Sequence, residues 1–229
     1  MARQLTLDLP VRPALGRDDF FVSPANAAAV RAIENWRDWP DHKLVLAGPR
    51  GSGKTHLVHV WAQMTGAKVV KAGDLGAIEV AGLVARTRQV AVEDVDAIAA
   101  SRAAQQALLH LHNLLLAEGG HLLMSGARAP ANWALSLPDL HSRIQGSALA
   151  SLNAPDDALL AAVLVKLFAD RQISVAAAVV SKLVTRMERS FECAQSLVRE
   201  LDHQSLSEHR AISGAMAGRV LDKLSRDTP

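Results

Sequence analysis

Cysteine is almost absent from this chain: Cys193 is the only one in 229 residues. An internal disulfide and a zinc site built from cysteines are therefore excluded, and a cytoplasmic setting is the expected one. Long apolar runs are also missing. No stretch would span a bilayer, so no membrane association is expected, and the opening Met1-Ala2-Arg3-Gln4-Leu5-Thr6-Leu7-Asp8-Leu9-Pro10 lacks the continuous apolar core of a signal peptide. There is no block of Lys or Arg, and the formal net charge is only +2, so charge alone gives little support to direct nucleic-acid binding. Trp36, Trp39, Trp61 and Trp133 are scattered along the sequence, and no base-stacking platform is expected from them. The pairs His56/His59 and His110/His112 offer too few ligands for a metal.

About half of the residues are apolar, enough for a substantial core in one α/β domain or two unequal lobes. Residues 1–16 read as an extended arm with Pro10 and Pro13. A helix is expected from Ser23 to Trp39, with Ser23 as N-cap, Pro24 at the first helical position and Pro40 closing it. Five short apolar runs, at 43–47, 68–70, 89–92, 121–124 and 148–152, alternate with helical stretches, the clearest being 102–117. This alternation predicts a five-stranded parallel sheet flanked by helices over residues 17–154. Beyond Pro155 only helical periodicity remains, at 156–170, 175–188, 191–206 and 212–224, which predicts a small all-helical lobe over 155–229.

The most specific signal is Gly48-Pro49-Arg50-Gly51-Ser52-Gly53-Lys54-Thr55. The glycines allow main-chain N–H groups to wrap phosphate oxygens, Lys54 places a positive charge beside the outer phosphates, and the Thr55 hydroxyl suits Mg²⁺. A strand before it and a helix after it give the required context, with the helix dipole directed at the anion. ADP or ATP with Mg²⁺ is the expected ligand. Such a site also needs acids at the end of a neighbouring strand, and Val90-Ala91-Val92-Glu93-Asp94-Val95-Asp96 supplies them. Side chains alternate along a strand, so Glu93 and Asp94 are expected to face different ways, Glu93 toward the metal shell and Asp94 toward the attacking water.

Three further segments follow in order: Ser125-Gly126-Ala127-Arg128-Ala129-Pro130, Leu137-Pro138-Asp139-Leu140-His141-Ser142-Arg143-Ile144, and the helical lobe. Together with the phosphate loop they resemble a AAA+ module of the initiator clade. Phe20-Phe21-Val22-Ser23-Pro24-Ala25-Asn26 is similar to the segment ahead of the phosphate loop in the bacterial replication initiator DnaA, and Leu140-His141-Ser142-Arg143 to its arginine-finger box. Neither the N-terminal interaction domain of DnaA nor its C-terminal helix-turn-helix domain is expected within these residues. In their place Gln4-Leu5-Thr6-Leu7-Asp8-Leu9 looks like a short motif for docking on the bacterial sliding clamp, the DNA polymerase III beta subunit. Leu5, Leu7 and Leu9 at period two would enter an apolar pocket from an extended peptide, with Gln4 hydrogen-bonding at one end. The combination resembles the Hda group of DnaA-related AAA+ proteins, regulatory inactivators of DnaA.

That resemblance implies a nucleotide-bound partner of DnaA, clamp-docked and so on DNA only indirectly, which promotes hydrolysis of DnaA-bound ATP through Arg143 and thereby inhibits re-initiation. It also implies Phe21, Val22 and Asn26 around the adenine, Ser125 near the outer phosphates, and an arginine from the helical lobe. His203 aligns at that last position and Arg199, one turn earlier, is the substitute. Self-association as a homodimer is what the resemblance implies. The chain departs from the family pattern at Glu93, where Asp is usual, at Asp94, where a longer acid is common in hydrolysing relatives, and at Gly126 and Ala127, where an acid is common. Tight ADP binding with weak turnover is the expectation. The competing expectation is a self-sufficient ATPase of helicase-loader type acting on single-stranded DNA.

Overall fold

The computed structural model describes residues 11–12, 20–208 and 210–227. They form two compact units, an α/β unit that includes 26–153 and a helical unit of 154–227 joined by 11–12 and 20–25. The candidate clamp-docking residues Gln4, Leu5, Leu7 and Leu9 lie outside the described residues.

Within the helical unit, β1 (Val11–Arg12) pairs antiparallel with β2 (Phe20–Phe21), so a piece of the arm read as simply extended belongs to a two-stranded ribbon. The first helix, α1, spans Ala27–Glu34, shorter at both ends than the 23–39 read from sequence. At its start the Ser23 hydroxyl is used locally, accepting the N–H of Ala25 at 3.2 Å, and Asn26 is the N-cap residue. At its end the chain bends through two short 3-10 turns, Trp36–Asp38 and Pro40–His42, because Trp39 turns inward. The Trp39 indole N–H donates to the Ala32 carbonyl at 2.7 Å and its ring stacks on Trp61 at 5.3 Å.

The sheet then follows: β3 (Lys43–Ala47), α2 (Lys54–Thr65), β4 (Lys68–Lys71), α3 (Val80–Arg86), β5 (Gln89–Glu93), α4 (Arg102–Ala117), β6 (His121–Gly126), α5 (Pro138–Gln145) and β7 (Ala148–Ser151). All five strands are parallel in the order β4-β5-β6-β3-β7. β3, every residue of it buried, runs between β6 and β7. Parallel strands covered by helices on both faces read as continuous apolar runs, which is why these segments were legible. On one face Ala104, Leu108, Leu111 and Leu115 of α4 recur at helical spacing and pack with Val90, Val92, Leu122 and Met124.

The helical unit contains α6 (Asp157–Asp170), α7 (Ala177–Arg186), α8 (Phe191–Glu208) and α9 (Gly214–Asp227). Its own core includes Leu164, Phe168, Leu183, Leu197, Leu201 and Val220. Cys193 packs against it, and burial raises the thiol pKa. Among the described residues no helix is long and apolar enough to cross a membrane.

Candidate nucleotide site

The phosphate loop leaves the C-terminal end of β3, where parallel α/β sheets place their ligand crevice. Gly48 must be a glycine, since a Cβ there would lie 2.5 Å from the Leu152 carbonyl oxygen. Gly51 and Gly53 have φ of 71° and 96°, in the left-handed region that glycine enters without strain. Pro49 and Arg50 are exposed, and the Ser52 hydroxyl is buried with no hydrogen-bond partner. Lys54, first residue of α2, donates from Nζ to the carbonyls of Gly48 and Pro49 at 2.8 and 2.9 Å. Burial lowers its pKa, opposed by the charges of Asp94, Asp96 and Glu93. Thr55 is exposed on the first turn of α2.

The acids stand at the end of β5. Glu93 is its last residue and is 6 % exposed, with Oε1 lacking any hydrogen-bond partner. Asp94 is exposed and sits at φ 57°, ψ 46°. Strand alternation therefore stops at Glu93, and a left-handed turn, not the pleat, separates the two carboxylates. A short polar side chain tolerates that conformation at a cost of about 1 kcal/mol. Ser125, on neighbouring β6, is buried, and its hydroxyl accepts the N–H of Asp94 at 3.4 Å.

These residues fit a nucleotide with Mg²⁺. A buried carboxylate oxygen and a buried hydroxyl without partners, a lysine at a helix start and glycines shaped for close approach form a coherent donor set. Among the described residues no three His, Cys, Asp or Glu side chains converge on a metal. Mg²⁺ takes one or two carboxylates and completes its shell with water and phosphate oxygens, so a cluster of three protein ligands is not required.

Arg143 is elsewhere. It lies in the last turn of α5, its Nε donates to Asp139 at 3.2 Å, and its side chain is 43 % exposed. Its main-chain carbonyl accepts a bond from Lys43 Nζ at 3.0 Å. Lys43 begins β3 and the phosphate loop follows its end; at about 3.3 Å per residue the strand's five residues cover roughly 16 Å.

In the helical unit, Phe21 and Val22 are half-buried at the end of β2, which lies beside α6. Arg199 and His203 are exposed one turn apart on the same face of α8. In the α/β unit Asn26 is buried.

Two features were not foreseen. The tryptophans are not scattered in space: Trp36, Trp39 and Trp61 gather with His42 and His121, bringing Trp36 to 4.8 Å from the His121 ring. Trp39 and Trp61 are buried, and Arg37 stacks over Trp36 at 4.5 Å. Trp133 instead packs on Gly126, where a Cβ would lie 2.6 Å from the indole. Asp96 is the second feature, accepting the N–H of Ala127 at 2.9 Å. Three acids within four residues of a strand end were its signal in the sequence.

No model of a known protein family matches the chain. The Chromosomal replication initiator protein DnaA of Caulobacter vibrioides (strain NA1000 / CB15N) is 31% identical over 152 residues, covering 57% of this chain and 31% of that protein. The chain thus spans about a third of the length of that relative. An uncharacterized protein of Haemophilus influenzae is 25% identical over 197 residues, covering 82% of this chain and 85% of the other. Domain III of the Thermotoga maritima replication initiation protein DnaA superposes with a TM-score of 0.76 at 17% identity, covering 89% of this chain and 94% of that one. AMPPCP-bound DnaA from Aquifex aeolicus gives 0.69 at 14% identity, covering 81% and 64%. The chain thus shares local sequence similarity with DnaA and the fold of DnaA domain III.

Proposed function

We propose that this chain is a nucleotide-bound regulator of replication initiation that docks on the DNA-loaded sliding clamp through Gln4, Leu5, Leu7 and Leu9 and promotes hydrolysis of ATP held by DnaA. The observation that carries this reading is the placement of Arg143. Its main chain is tied to the start of β3 while the phosphate loop leaves the end, which supports a reading in which the guanidinium serves a nucleotide on another subunit. A planar, permanently charged guanidinium suits the negative charge that develops on a transferred phosphoryl group. Such residues, supplied in trans, are worth on the order of 10³-fold or more in rate.

The chain's own nucleotide then has a conformational role. ADP is the favoured ligand and own turnover is weak, because Asp94 is short and exposed and position 126 carries no side chain. Bound Mg²⁺ would neutralise phosphate charge; Glu93 and Thr55 would hold it, Lys54 and the loop amides orient the phosphates, and Ser125 lies near the outer phosphates. Phe21, Val22 and Asn26 serve adenine recognition, and Arg199 is the arginine of the helical unit.

Reconstitution tests the reading. DnaA loaded with ATP is mixed with clamp on DNA and this chain, and hydrolysis is followed against a variant lacking the first ten residues. Stimulation by the intact chain and its loss in the variant are expected. Stimulation by both, or hydrolysis by this chain alone on single-stranded DNA, contradicts it.

A further inference from the structure

Asp96 lies in the 3-10 turn Val95–Ile98, beyond the acidic pair assigned to the nucleotide. Its Oδ2 accepts the main-chain N–H of Ala127 at 2.9 Å. The preceding residue, Gly126, accepts through its carbonyl the N–H of Gly48, first residue of the phosphate loop, at 3.3 Å. One residue further back, the Ser125 hydroxyl accepts the N–H of Asp94. Residues 125–127 therefore link the acidic turn to the phosphate loop by three successive bonds.

Ser125 and Gly126 end β6 and pair with Leu46 and Ala47 of β3, whereas Ala127 lies beyond the ladder. Gly126 cannot carry a side chain against Trp133, and Ala127 is exposed with only a methyl group. On its far side the Trp133 indole N–H donates to the Arg128 carbonyl at 2.7 Å. The bond that Asp96 accepts from Ala127 involves a carboxylate, and such bonds are roughly twice as strong as neutral ones.

We propose that Asp96 is a positioning residue for the phosphate loop: its carboxylate holds the 126–127 turn, and that turn holds the Gly48 amide. The proposal rests on the nucleotide-binding reading above. Asp96 touches no nucleotide in this scheme; it acts through Ala127, Gly126 and Gly48.

The test uses the full chain with Asp96→Ala and Asp96→Asn. Asparagine keeps an oxygen that accepts the Ala127 N–H, whereas alanine removes it. Mg-ADP affinity by fluorescence titration is expected to fall about five- to tenfold in the alanine variant and to stay within about twofold of wild type in the asparagine variant. Native-state amide exchange at Ala127 and Gly48, measured without nucleotide, is expected to quicken about tenfold in the alanine variant alone. Unchanged exchange in the alanine variant, or unchanged ADP affinity despite faster exchange, overturns the proposal. Equal losses of affinity in both variants overturn it too. A wild-type chain that binds no nucleotide overturns the nucleotide-binding reading, and the exchange measurement then decides by itself whether Asp96 holds the turn.

Discussion

Lys43 and Arg143 are joined by a hydrogen bond of 3.0 Å, from the ammonium at the start of β3 to the main-chain carbonyl in the last turn of α5. The Lys43 side chain is 9 % exposed, so this bond anchors the end of α5 to the sheet from within. The Arg143 guanidinium pairs with exposed Asp139 one turn back. A surface pair of that kind contributes about 0.3–0.5 kcal/mol and is readily exchanged for a stronger anion. An anchored main chain with a releasable guanidinium suits a residue that acts on another subunit.

Glu93→Gln replaces a buried carboxyl group whose Oε1 has no hydrogen-bond partner by an amide. Mg²⁺-dependent nucleotide affinity is expected to drop about tenfold, while affinity measured in EDTA changes less than about twofold. Calorimetric titration with and without Mg²⁺ checks this.

Gly126→Ala drives a methyl group into the Trp133 indole. Overpacking of this kind costs about 1–3 kcal/mol, and thermal melting is expected to fall by several degrees. Trp133→Leu in the same chain is expected to recover part of the loss. An unshifted melting curve for Gly126→Ala would contradict the packing described.

Acid sensitivity follows from His121. Burial holds its pKa below the ordinary value of 6.5, and the neighbouring His42 and Arg37 push it the same way. The ring meets His42 at 3.1 Å and packs edge-on to Trp36 and Trp39. Below about pH 6.5 the unfolded chain takes up a proton that the folded chain refuses, so stability falls as pH drops toward the lowered value. His121→Phe keeps an aromatic ring without the titration. Its melting temperature is expected to fall less between pH 7 and 5 than that of wild type, and an identical fall would exclude His121 as a source.

How far all this was legible in the sequence depended on the range of each interaction. The phosphate loop is a local constraint, since glycine at 51 and 53 is required by main-chain angles within the loop itself. The buried strands announced themselves because both sheet faces are covered, leaving uninterrupted apolar runs such as Leu44-Val45-Leu46. The start of α1 was misread because the Ser23 hydroxyl caps a turn at Ala25 and not the helix, a choice between two nearby N–H groups that composition does not decide. The gathering of Trp36, Trp39 and Trp61 with His121 joins segments far apart in the chain, and only the strand order brings them together. Asp96 was hidden for the same reason: its partner Ala127 follows the neighbouring strand. The separation of Arg143 from the phosphate loop likewise emerged only once α5 was seen anchored at the start of β3.

Arg143→Ala tests the central claim most directly, assayed for hydrolysis of DnaA-bound ATP in the presence of clamp on DNA, with Mg-ADP binding by the variant measured in parallel. Stimulation is expected to fall by about 10³-fold, or to background, while the variant's own ADP affinity stays within about twofold of wild type. Undiminished stimulation, or a loss matched by an equal loss of the variant's own nucleotide binding, would contradict a role for Arg143 on a partner's phosphate.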